Sequence, residues 1–188
     1  ANLTEEEIEA FDLSDPSLYE DPAFGQGDSS VAIGSDAGQS SQGGSAVALG
    51  YGSGKVNQGT YGIGVGASAG ATDQGTQGTA IGVNAGSVSQ GTHAVAVGSA
   101  SGNSGQGNYS VAVGRDAGKT TQGASSVAIG YYAAENAQGS FGVAVGREAG
   151  YANQGVSSVA IGKTAGSGIN PSVFANLTDE EIEAFDLS

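Results

Sequence analysis

The sequence predicts an all-β chain folded as a parallel β-solenoid of 16-residue coils, with a short α-helix at each end. Three observations carry that expectation. The dipeptide Gln-Gly recurs at Gln26, Gln42, Gln58, Gln74, Gln90, Gln106, Gln122, Gln138 and Gln154, always 16 residues apart. Each interval holds a triplet such as Val111-Ala112-Val113, whose β-branched residues alternate with the period of two of a strand. Glycine makes up 35 of the 188 residues, far above the usual share of about 7%. Self-similarity at one short period describes units that stack only on their neighbours.

Residues 1–25 form an acidic N-terminal segment. Its opening, ANLTEEEIEAFDLS, reads as a short helix. Thr4 is placed to cap it, Glu7 completes a capping box, and Leu3 and Ile8 have the spacing of a hydrophobic staple. Residues 26–169 hold nine coils. Numbered from its Gln, a coil has Gly at positions 2 and 9 and Gly at position 13 in all but the seventh, where Ala134 stands. Each near-constant glycine would cost a helix about 1 kcal/mol relative to Ala, so the coils are strand and turn. Residues 170–188 repeat the first segment: ANLTDEEIEAFDLS differs from residues 1–14 only in Asp179 for Glu5. Leu3, Ile8, Phe11, Leu177, Ile182 and Phe185 would be the contacts of an end-to-end junction. The duplication reads as the joint of a tandem or head-to-tail filament, with matched solenoid caps as the other reading.

The net charge of −14 belongs to the ends. Residues 1–25 and 170–188 hold eight and five acidic residues and no Lys or Arg, whereas the coils hold six acidic and five basic ones. Five basic residues do not make a nucleic-acid surface. No apolar run approaches the ~18 residues of a membrane span, so no membrane insertion is expected. The lone His93 and the absence of Cys leave no metal set and no nucleophile–base pair, so no cofactor and no enzymatic activity are expected. A weak Ca²⁺ site among Asp12, Asp15, Glu20, Asp21 and Asp28 is the lesser reading of an acidic linker.

Hydrophobicity places positions 6 and 8 of each coil inside: Val or Ile, then Ile, Leu or Val, with Thr79 the exception. Position 12, always Ala or Ser, joins them, with Val56 and Val88 at position 15 as further candidates. Positions 5 and 7 then face outward. Position 7 reads Ala32, Ala48, Gly64, Ala80, Ala96, Ala112, Ala128, Ala144 and Ala160, and position 5 holds only Ser, Ala or Gly. A face so restricted in size implies a close partner, and another copy of the chain is the simplest one. The Gln column is expected to form an amide ladder.

Coils such as SSVAIGSDAG (Ser29–Gly38), YSVAVGRDAG (Tyr109–Gly118) and SSVAIGKTAG (Ser157–Gly166) resemble the head repeats of YadA-like trimeric autotransporter adhesins and related phage and giant-virus fibre proteins. The resemblance covers all nine coils. It implies a left-handed β-roll, a homotrimer with Ala toward the neighbouring chains, and a place outside the cell, on a cell or virion surface. The function it implies is a structural or adhesive fibre module, with a host-attachment fibre of a virus as the alternative. An ice-binding solenoid is the reading of another class, resting on Thr60, Thr76 and Thr92 at position 3.

Two exposed columns are candidates for binding a host-surface receptor or glycan. Position 4 supplies Tyr61, Tyr109 and Phe141, and position 10 supplies Arg115, Tyr131 and Arg147. Stacked Arg-Tyr-Arg at strand spacing favours cation–π contacts, and Asp116 and Glu148 stand ready to neutralise the arginines.

Overall fold

The computed structural model describes residues 25–167. The helices expected at the two ends, with the junction residues Leu3, Ile8, Phe11, Leu177, Ile182 and Phe185, lie outside the described residues. So do Asp12, Asp15, Glu20 and Asp21.

The described chain is a parallel β-solenoid, and all its regular structure is strand. Nine three-residue strands, from Val31–Ile33 to Val159–Ile161, make one continuous sheet in chain order. Every pairing is parallel and offset by 16 residues: Val111 lies between Val95 and Val127, and Ala112 between Ala96 and Ala128. The repeat period is therefore the register. At ~4.8 Å per strand the sheet is about 40 Å long.

A second ladder runs along the opposite side. Ser40–Gln42, Val56–Gln58 and Thr72–Gln74 form one three-stranded sheet, and Ser104–Gln106, Thr120–Gln122 and Asn136–Gln138 another. Val88 pairs with both Thr72 and Ser104 and joins the two.

Left-handed backbone at fixed positions turns the chain between these sides. In the coil Gln106–Thr121, Tyr109, Asp116, Gly118 and Thr121 have φ of 58°, 55°, 53° and 52°. Gly114 has φ 126°, and a Cβ there would stand 2.6 Å from the carbonyl oxygen of Gly130 in the next coil. Coil-to-coil contact at this column is backbone on backbone, which is why glycine is invariant at position 9.

The interior is built from the smallest side chains. Ala112, Ala117 and Ser110 are fully buried, as are Ala80, Ala85, Ala96, Ala128, Ala133, Ala144 and Ala149. The expected outward alanine face is thereby corrected. Ala48, Ala80, Ala96, Ala112, Ala128, Ala144 and Ala160 point into the roll, Gly64 is buried among them, and Ala32 in the first coil is half-buried. The Val and Ile at positions 6 and 8, expected inside, are on the outside: Ile33 is 60% exposed and Ile81 41%. Val88 is exposed and Val56 half-buried, so position 15 is outside too. The reason is width. A 16-residue coil folded flat leaves room between its two sides for Ala, Ser and a single Gln, and a close-packed interior selects on volume before hydrophobicity.

The Gln column fills the remaining space as a hydrogen-bonded ladder. Each side chain is buried from Gln42 onward, and Gln42, Gln58, Gln74 and Gln90 each donate to the Oε1 of the next, at 3.0, 3.0, 3.0 and 3.1 Å. Each Nε2 also donates across the interior to a strand carbonyl, as Gln74 does to Ile63. The ladder is interrupted between Gln106 and Gln122, leaving Gln122 Oε1 without a partner, and resumes through Gln138 to Gln154.

Candidate interaction surface

Because Ala faces in, the long sheet presents positions 6 and 8 to solvent. Of those eighteen residues, seventeen are Val, Ile or Leu and the other is Thr79; none is charged. Strict parallel register lines them up as two aliphatic columns running the length of the rod. This apolar face lies where the sequence reading had placed the core.

The predicted aromatic and cationic residues border that face on either side. Position 4 precedes the strand and position 10 follows it, so they form two rims. On the first, Tyr61, Tyr109 and Phe141 are well exposed, and His93 stacks on Tyr109 with ring centroids 5.1 Å apart. On the second, the guanidinium of Arg115 lies 5.5 Å from the Tyr131 centroid and that of Arg147 lies 5.9 Å from it, one from each neighbouring coil. The expected cation–π sandwich is therefore present. The arginines are also neutralised as expected: Arg115 pairs with Asp116 at 3.1 Å and Arg147 with Glu148 at 2.9 Å.

Behind this rim, positions 11 and 14 form a cluster that column-by-column reading missed. Tyr132 packs on Tyr131 with centroids 4.1 Å apart and meets Tyr151 edge-on at 6.3 Å and 83°. Lys119 bridges Asp116 at 3.0 Å and Glu135 at 3.4 Å. Its ammonium is held above the ordinary lysine range, chiefly by the hydrogen bond to Asp116. The Tyr132 phenol is pushed up chiefly by the neighbouring Tyr131 phenol, and the Tyr151 phenol by the Glu135 carboxylate. Tyr132 and Tyr151 are nineteen residues apart, one 16-residue coil plus the three residues from position 11 to position 14. Combining the repeat with that step is the signal that would have found them.

Among the described residues no group of His, Asp and Glu could hold a metal ion. Thr60, Thr76 and Thr92 occupy position 3 of three successive coils, just before the position-4 rim. No family model, curated protein or solved structure matches the chain.

Proposed function

We propose that this chain is a structural and adhesive fibre module: a rod that assembles with copies of itself through its aliphatic sheet face and displays its rims outward. The observation that carries the reading is the face itself. Two columns of Val, Ile and Leu, interrupted only at Thr79, run about 40 Å. A contiguous apolar face of that length marks a contact surface, unlike singly scattered exposed hydrophobics. A second copy of the same sheet is the fitting occupant, since it is equally long, flat and uncharged.

The number three, the left hand of the roll and the adhesive role are drawn from the resemblance to YadA-like heads. So is a place on a cell or virion surface. End-to-end continuation through the duplicated terminal segments would extend such rods into a filament. Multi-angle light scattering of the full chain tests the assembly: a mass three times that of the chain is expected, and a monomer at micromolar concentration removes the proposal.

A further inference from the structure

The corner behind the cationic rim forms a cavity of about 300 Å³, lined by Tyr132, Glu148, Tyr151 and Ser167. That volume is at the lower end for small-molecule sites. Two phenol rings at 83° make an aromatic corner, and the Glu148 carboxylate stands on its wall, fixed by Arg147 Nε and a terminal guanidinium nitrogen at 3.0 and 2.9 Å.

The charges say what kind of ligand fits. Arg115, Lys119 and Arg147 are matched by Asp116, Glu135 and Glu148, three against three, and each is in an ion pair. No cation lines the cavity, so a phosphate, sulfate or sialic acid would meet the Glu148 carboxylate without an opposite charge beside it, and for a cationic ligand that carboxylate is already taken by Arg147. A neutral molecule with an apolar face and a hydroxyl rim meets both features. Its C–H face packs on the rings, and its hydroxyls donate to carboxylate oxygens that retain free lone pairs.

We propose that this corner binds a neutral oligosaccharide, one pyranose ring resting against Tyr132 and Tyr151 with Glu148 accepting hydroxyl hydrogen bonds. The site is built from successive coils of one chain, so it does not depend on the assembly proposed above. A monomeric chain that still bound sugar would refute the assembly and keep the site.

The test is binding of the full chain to a printed panel of neutral oligosaccharides of glucose, galactose, mannose and N-acetylglucosamine, alongside sialyllactose and heparin oligosaccharides. Saturation-transfer NMR then follows the neutral sugars that are retained. At least one neutral sugar is expected to bind, with affinity falling about tenfold or more in Tyr151→Ala and Tyr132→Asn. Asn is chosen at position 132 because φ there is 57°, which Asn tolerates. Gln39→Ala, at the position equivalent to Tyr151 in the first coil, should bind as the parent does. Retention of the anionic sugars alone, of no sugar, or undiminished binding by both tyrosine variants would overturn the proposal.

Discussion

Gln74 donates its side-chain N–H to Gln90 Oε1 at 3.0 Å, one coil on, while the same Nε2 reaches the Ile63 carbonyl at 2.9 Å. Its own Oε1 accepts from Gln58 at 3.0 Å. The amide thus joins three coils and spans the interior. Gln74→Ala should lower stability by about 3 kcal/mol or more, since Gln58 Nε2, Gln90 Oε1 and Ile63 O all lose a buried partner. Gln74→Glu keeps the shape and inverts a donor. Burial and two facing acceptors raise the pKa of such a carboxyl above its unfolded ~4.3. A raised carboxyl binds more protons in the native state, so stability is greatest below the unfolded pKa and falls as pH rises. Thermal melts should show the deficit of Gln74→Glu narrowing from pH 7 to pH 4. A deficit that does not change with pH would place the ladder in wetter surroundings.

Val111 and Ala112 are adjacent and have opposite roles: Ala112 is fully buried and Val111 faces out. Glutamates at Val111 and Val127 interrupt the aliphatic face with charge and leave the interior untouched. That double variant is expected to keep its β circular dichroism and run as a monomer by light scattering. Ala112→Glu places a carboxylate in a space the size of a methyl group. It should lose the fold itself, since a buried unpaired charge costs several kcal/mol. If both variants merely dissociated, the inward alanine would be wrong. If the Val111/Val127 variant kept the parent's mass, the aliphatic face would not be the contact.

The period, the strands of the long sheet, the register and the Gln ladder were readable in the sequence, because a strict 16-residue repeat makes residue i pair with residue i+16; the second ladder, through Ser40–Gln42 and its equivalents, was not, since its residues show no apolar alternation. The sense of the strand was not. Alternation says that Val111 and Ala112 face opposite ways, and hydrophobicity would put Val111 inside. The interior went to Ala112 because a flat coil is too thin for valine. Invariant smallness at Ala112 and Ser110 was the better guide, and it had been read as a mark of contact between chains. The cation–π rim was legible because Arg115, Tyr131 and Arg147 share one column. The Tyr132–Tyr151 corner was not, since it joins two columns across a turn whose tightness only the backbone shows.

Two glycines with positive φ separate close approach from conformational tolerance. At Gly114, φ is 126° and an added Cβ would be 2.6 Å from the Gly130 carbonyl oxygen. Gly114→Ala should destabilise by about 2 kcal/mol or more, because rigid backbone on both coils must move. At Gly52, φ is 59° and the nearest atom to an added Cβ is Ser68 Oγ at 3.8 Å. Asp36, Ser68 and Asn84 adopt the same conformation at the equivalent position of other coils. Gly52→Asn should therefore change stability by no more than about 0.5 kcal/mol. Urea unfolding of the two variants checks the contrast, and a large loss at Gly52 would show that the turn at position 11 demands glycine.

Alkaline pH tests the cluster around Lys119. Its ammonium is held above 10.5, first by the hydrogen bond to Asp116 and then by Coulomb attraction to Asp116 and Glu135. A group raised in the folded state contributes stability that is complete below its unfolded pKa and is lost as pH rises through the folded one. The phenols of Tyr132 and Tyr151, both raised above 10.0, act with the same sign. All three groups bind more protons folded than unfolded just above pH ~10, so the melting temperature should fall there. Lys119 is 38% exposed, so solvent discounts its share to about 1 kcal/mol or less. Lys119→Gln should be less stable at pH 7 and show a shallower decline between pH 9 and 11, and Tyr151→Phe should flatten the decline further. A double variant as alkali-sensitive as the parent would show that these ion pairs and phenols do not hold coils six to eight together.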